Sequence, residues 1–140
     1  MLPEGRARVL VADDHQPVLD RVVKTLAREF CVVAAVGDGE QLVAAEAALE
    51  PDVLVIDVCM PRMNGLEAAA VIRRRGSQVP VVYLTACEEA ETIEAAWETG
   101  ALGYVIKGAL ATDLLPAVRA ALEGRRFVSS LAGPASTPPR

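Results

Sequence analysis

Val53-Leu54-Val55-Ile56-Asp57 decides the fold: four apolar residues in a row, then a carboxylate, with Pro51 before and Pro61, Asn64 and Gly65 soon after. A short unbroken apolar run bounded by turn residues reads as a strand buried on both faces, the kind found in parallel sheets. Similar runs lie on either side. Arg8-Val9-Leu10-Val11-Ala12 ends in Asp13-Asp14, Phe30 to Val36 is a second apolar strand, Pro80 to Leu84 ends at Thr85, and Gly103-Tyr104-Val105-Ile106 ends at Lys107. Between them lie helical patterns. Val18, Leu19, Val22, Val23 and Leu26 share a face over about Gln16–Glu29, and Leu114, Leu115, Val118 and Leu122 share another. An alanine-rich helix is expected after Asp38, capped by it, with Gln41 completing a capping box and Pro51 setting its end. Helices are also expected over about Leu66–Arg75 and Glu88–Thr99, the latter with Ile93 and Trp97 four apart. Strand–helix repeats of this kind imply right-handed βαβ units and a parallel sheet covered on both sides.

The bulk numbers agree with one such domain. The chain has 140 residues, enough to bury a core without disulfides or metal staples. Its apolar fraction of 52% is spread in short runs, none approaching the roughly 20 residues a membrane span needs. No secretory signal is evident from Met1 to Arg8, so the expected compartment is the cytoplasm, without membrane association. The net charge of −5 argues against direct nucleic-acid binding by this chain. Arg73-Arg74-Arg75 reads as a solvated helix end and Arg125-Arg126 as the start of a tail. Cys31, Cys59 and Cys87 are an odd, widely spaced set, neither a disulfide framework nor a zinc motif.

In a parallel α/β sheet the ligand site lies beyond the carboxyl ends of the strands. Asp13, Asp14, Asp57, Thr85 and Lys107 each follow an apolar run directly, so all fall on that one edge. Any one of them alone would be a cap, a turn residue or a solvated charge; five at matching strand ends are harder to explain that way. Three converging carboxylates repel one another unless a cation joins them, and hard oxygen donors suit Mg2+. Asp57 is then placed to act as a nucleophile toward a phosphoryl donor, with Lys107 and the Thr85 hydroxyl set to receive the transferring group. His15 reads as a polar residue at a helix start, and Cys31 as a small core residue.

The motifs Val9-Leu10-Val11-Ala12-Asp13-Asp14-His15, Val55-Ile56-Asp57-Val58-Cys59-Met60-Pro61, Met63-Asn64-Gly65, Leu84-Thr85-Ala86 and Gly100-Ala101-Leu102-Gly103-Tyr104-Val105-Ile106-Lys107 resemble those of response-regulator receivers of two-component systems. The resemblance runs from about Arg8 to Val128. The Asp13-Asp14-His15 opening and the Gly124-Arg125-Arg126-Phe127-Val128-Ser129 ending are similar to the NarL/FixJ subgroup, whose receivers usually precede a LuxR-type helix-turn-helix domain.

The resemblance implies a flavodoxin-like (βα)5 doubly wound sheet of strand order 2-1-3-4-5, with residues 1–128 as the receiver and 129–140 as a Pro/Ser-rich tail or linker. It implies Asp57 as phosphoacceptor. Asp14, Asp57 and the backbone carbonyl of Cys59 would ligate Mg2+, with Asp13 assisting. Thr85 and Lys107 would sense the phosphoryl group, and Tyr104 would be the switch residue, turning inward when Thr85 moves and remodelling the face around the fourth helix and fifth strand. Cys59 and Cys87 would rim the pocket. The partners implied are a sensor histidine kinase and a downstream protein or output domain, with room for a homodimer on phosphorylation. The stretch of about 16 residues after Gly124 is too short for a helix-turn-helix domain. One departure concerns Gly108, which follows Lys107 where many receivers carry proline; a cis bond is not expected there, and the pose of Lys107 is left open.

Two other classes are considered. A phosphatase or phosphotransferase using Asp57 on an external substrate would be served by a second acid two positions on, where Cys59 stands. A flavin-binding module would need a phosphate-cradling loop after the first strand, and Asp13-Asp14 would repel that phosphate.

Overall fold

The computed structural model describes residues 6–86 and 90–129, with the side chains of 90–93 left aside. In chain order the elements are β1 (Arg8–Ala12), α1 (Gln16–Leu26), β2 (Cys31–Val36), α2 (Gly39–Leu49), β3 (Val53–Asp57), α3 (Gly65–Arg74), β4 (Val81–Thr85), α4 (Ala90–Glu98), β5 (Gly103–Ile106), a 3-10 turn (Lys107–Ala109), α5 (Leu110–Leu122) and β6 (Phe127–Val128). The strands form one parallel sheet of order β2-β1-β3-β4-β5-β6. The expected order 2-1-3-4-5 is therefore present, and it is extended by a sixth strand on the outer side of β5.

Two-residue alternation divides the core. Leu10, Leu54, Ile56, Val81, Tyr83 and Tyr104 point to the side that carries α2, α3 and α4, where they meet Leu42, Ala68, Ile72 and Ala96. Val9, Val11, Val53, Val55, Val82, Leu84 and Val105 point the other way, onto Leu19, Val22 and Leu26 of α1 and Leu114, Ala117 and Val118 of α5. Both faces being covered explains the unbroken apolar strands. Each fully buried aliphatic contributes on the order of 1.5–3 kcal/mol.

Helix starts follow local chemistry. Asp38 caps α2 by accepting from the Gln41 N–H at 2.8 Å. The expected reciprocal box is incomplete, because the Gln41 side chain accepts from Gly37 N–H rather than from Asp38. A complete box stands instead at α3, where Asn64 accepts from Glu67 N–H at 2.9 Å and Glu67 from Asn64 N–H at 3.0 Å. The helix α2 ends at Leu49 with Glu50 left-handed at φ 47°, just before Pro51.

The loop between β3 and α3 is wedged in place. A Cβ at Gly65 would lie 2.2 Å from the Asp57 carbonyl oxygen, and one at Gly39 would lie 2.0 Å from that of Met63. Arg62, left-handed at φ 65°, reaches across to the Asp38 carboxylate at 3.1 Å. Gly65→Ala is accordingly expected to lower unfolding free energy by about 1–3 kcal/mol in urea titration, because neither β3 nor α3 can yield without repacking.

The basic run Arg73-Arg74-Arg75 is exposed at Arg74 and Arg75, as expected of a solvated helix end, but Arg73 departs from that expectation. Arg73 donates to the carbonyls of Thr99 and Ser77, tying α3 to the turn after α4. Arg75 donates to Val43 carbonyl and pairs with the buried Glu46 carboxylate at 3.0 Å.

Candidate metal and phosphoryl-transfer site

The strand order reverses at β1, which lies between β2 and β3, and the chain ends of β1 and β3 open a crevice there. Asp13 and Asp14 leave β1 into this crevice, and Asp57 is the last residue of β3. One carboxylate oxygen from each of the three lies within 4.8 Å of the others. Asp13 and Asp57 are buried, at 1% and 3% exposure, while Asp14 faces solvent.

Lys107 is the cation among them. From the 3-10 turn after β5 its ammonium reaches Asp57 Oδ2 at 3.0 Å and Asp13 Oδ2 at 3.2 Å. The Lys107–Gly108 loop is thus ordered into a turn that leads directly into α5, and the pose left open by the missing proline is set by two ion pairs. The other oxygen of Asp57 accepts from the Cys59 N–H at 3.1 Å, and Asp13 Oδ1 accepts from the His15 N–H at 2.9 Å. Asp13 Oδ2 has an ionic neighbour but no aligned hydrogen bond, which leaves a buried acceptor short of a donor. Asp14, Asp57, Cys59, Thr85, Ala86 and Lys107 line a cleft of about 410 Å³ above these groups. Larger clefts lie elsewhere, one of about 730 Å³ between α3 and α4, but among the described residues only Asp13, Asp14 and Asp57 bring three carboxylates close enough together to share a cation.

Charge in the cleft is unbalanced. Burial pushes the Asp57 carboxyl up to about 6; the neighbouring Asp13 adds to this, and the Lys107 hydrogen bond opposes it. Burial disfavours the Lys107 ammonium, but the bond to Asp57 and the charges of Asp57 and Asp13 outweigh it and hold the amine above its ordinary value. Three carboxylates against one ammonium, with one buried carboxylate oxygen lacking a hydrogen bond, suit a hard divalent cation with oxygen ligands.

A model of the response regulator receiver domain matches residues 9–119. The chain belongs to the response-regulator receiver family. It is 33% identical over 131 residues to the transcriptional regulatory protein PdtaR of Mycobacterium tuberculosis, covering 93% of this chain and 63% of that protein. It is 36% identical over 124 residues to the response regulator GacA of Pseudomonas viridiflava, covering 87% of this chain and 58% of that one. The receiver thus spans less than two thirds of the length of either relative. In structure it is similar to the signal receiver domain of the response regulator NarL from Mycobacterium tuberculosis, with a TM-score of 0.82 and 32% identity over 88% of this chain and all of the other. Receiver domains of transcriptional regulators are signalling domains, and the flavodoxin-like order of the sheet agrees with that membership. Among the described residues no helix is long and apolar enough to cross a membrane.

The receiver brings six of the singled-out residues, Asp13, Asp14, Asp57, Cys59, Thr85 and Lys107, to one place. Cys59 is exposed at the cleft, whereas Cys87 lies outside the described residues. Tyr104 is away from the cleft and wholly buried, on the face shared by Tyr83 and Ile106. Register pairs Tyr104 with Tyr83, two residues before Thr85, so Thr85 and Tyr104 are diagonal neighbours on that face. Trp97 packs against the same core, its ring 6.2 Å from that of Tyr104. His15 occupies the cap position of α1 without a side-chain capping bond, and Cys31 is buried. The clamp of Arg62 on Asp38 and the close approaches at Gly39 and Gly65 escaped sequence reasoning; Pro61, Asn64 and Gly65 signalled order in that loop, but not the capping box of Asn64 and Glu67.

Proposed function

We propose that this receiver accepts a phosphoryl group on Asp57 from a sensor histidine kinase and uses it to regulate an output, either a C-terminal transcriptional domain or a separate protein, in the cytoplasm. The observation that carries the reading is the Asp57 carboxylate at the end of β3, 3.0 Å from the Lys107 ammonium and gathered with Asp13 and Asp14. Asp14, Asp57 and the Cys59 carbonyl would hold Mg2+, with Asp13 assisting. The bound ion would neutralise charge on the phosphoryl oxygens and between the carboxylates.

An Asp57 carboxylate oxygen forms a bond to phosphorus as the bond to the donor's leaving group breaks, and the leaving group departs with the bonding electrons. Lys107 exchanges its Asp57 contact for a phosphoryl oxygen, and the Thr85 hydroxyl donates to another. Tyr104 follows Thr85 as the switch, and the face around α4 and β5 changes in consequence. The chain regulates itself in this way and acts on no external substrate; Cys59 stands where an aspartate-nucleophile hydrolase would place its second acid. In the same reading the receiver would comprise residues 1–128, with 129–140 as a Pro/Ser-rich tail or linker. Pairing of two phosphorylated copies and the absence of direct nucleic-acid contact belong to the same reading. Incubation with a small phosphodonor and Mg2+ should add one phosphoryl group by intact mass; a chain that gains none would overturn the reading.

A thiol two residues after Asp57 and another two residues after Thr85 lead to a kinetic expectation. Thiols at Cys59 and Cys87 cannot position an attacking water as an amide or carboxylate can. The aspartyl phosphate should therefore be long-lived, and Cys59→Asn and Cys87→Glu should each shorten its half-life. Equal rates of dephosphorylation in the native chain and in both variants, alone and combined, would remove the cysteines from any role in the lifetime.

A further inference from the structure

The chain does not leave the sheet at the end of α5. Residues 126–129 return to the outer edge of β5 and are fastened there at several points. Phe127 N–H donates to the Leu102 carbonyl at 2.8 Å, and Ser129 N–H donates to the Tyr104 carbonyl at 2.8 Å. Ser129 is 1% exposed, and its hydroxyl bonds to the Asp113 carboxylate of α5. Phe127 packs on the core beneath α1 and α5, and Val128 on the core beneath α2, α3 and α4. The Arg126 guanidinium lies over the Trp97 ring, 5.8 Å from its centroid.

A two-residue strand has little hold of its own, so its docking depends on what lies under it. Tyr104 lies under it twice. Its carbonyl accepts the Ser129 amide, and its ring, fully buried, packs at 6.2 Å and 45° against the Trp97 ring that carries Arg126. Moving the Tyr104 side chain out of this position would remove the support beneath Trp97 and loosen Arg126 with it. Tyr104 is also the diagonal neighbour of Thr85, which lines the Asp57 cleft.

We propose that Arg126–Ser129 is a latch for the segment that follows the receiver, docked on β5 when Tyr104 is inward and released when it is not. The proposal rests on the phosphoacceptor reading above and extends it: phosphorylation, by favouring inward Tyr104, closes the latch. Because β6 runs parallel to the other strands, a closed latch directs the chain toward the same edge of the sheet as Asp57. Coupling between two sites is reciprocal, so weakening the latch lowers affinity at Asp57 by the factor that occupancy of Asp57 tightens the latch.

The test is amide hydrogen exchange at Phe127 and Ser129, followed with and without beryllofluoride and Mg2+ in the native chain, Arg126→Ala and Trp97→Leu. Arg126 is exposed and Trp97 only half-buried, so neither change need unfold the domain. Both variants should exchange several-fold faster than native at these two amides without any ligand, while the amides of β3 stay protected. Beryllofluoride should slow exchange at both amides in the native chain, and Arg126→Ala should bind it more weakly by a matching factor. Equal ligand-free exchange in all three chains would overturn the latch, as would faster exchange on beryllofluoride binding. A chain that binds no beryllofluoride by fluorine resonance, yet loosens in both variants, would count against the phosphoacceptor reading and support the mechanical half of the latch.

Discussion

Asp14→Ala is expected to slow phosphorylation of Asp57 by about 100-fold or more and to abolish measurable Mg2+ binding. Asp14 is the exposed member of the carboxylate trio, so its loss would remove a proposed Mg2+ ligand without opening a core cavity. The fold should survive with little change in denaturation midpoint, which separates a ligand role from a structural one. Chelation of the native chain should reproduce the variant's rate. A native rate that is unchanged by chelator would contradict the metal assignment, as would Asp14→Ala binding Mg2+ with native affinity by calorimetry.

Asp57→Asn should have two opposite effects, losing phosphoryl acceptance entirely and gaining stability. Burial raises the Asp57 carboxyl to about 6 from an ordinary 3.8, which means the folded state holds its proton more tightly than the unfolded chain does. A carboxyl raised in this sense contributes stability that is complete below about 3.8 and is lost as pH rises through about 6. Above that pH the native chain carries an ionised, crowded carboxylate, and the amide does not. With allowance for the Lys107 ion pair, Asp57→Asn should unfold in urea with about 2 kcal/mol more free energy at neutral pH in the absence of metal. The gap should close on acidification toward pH 4 and also as Mg2+ is added, since the ion binds the native trio better. A variant no more stable than native at neutral pH, or one whose advantage persists in acid, would contradict the charge crowding described for the cleft.

Much of this was legible in the sequence because each feature is local. Val53–Ile56 is apolar on both parities, which only a strand covered on both faces requires, and the residue after it falls at the sheet's carboxyl edge whatever the tertiary detail. Asp13, Asp14, Thr85 and Lys107 are placed by the same rule. Features set by contact between distant segments were not legible. Phe127-Val128 is too short to show a period and sits among Gly124, Arg125 and Arg126, so its strand state comes from the open edge of β5 rather than from its own residues. The angular position of Arg73 on α3, which turns it onto the Thr99 and Ser77 carbonyls, is likewise a packing result hidden in a run of three arginines. The Lys107 ammonium could be placed at a strand end, but its reach to both Asp13 and Asp57 depends on the turn at Lys107–Ala109, formed without the proline many receivers use.

Asp57, and not another group in the cleft, is expected to carry the phosphoryl group. Borohydride reduces an acyl phosphate to an alcohol, converting a phosphorylated aspartate to homoserine at the labelled position. After treatment of the native chain with a small phosphodonor and Mg2+, reduction and fragment-mass sequencing should place homoserine at Asp57, with none in the Asp57→Asn chain. Homoserine at Asp13 or Asp14 instead, or a stable phosphoryl adduct on His15 or Cys59 with Asp57 unmodified, would contradict it.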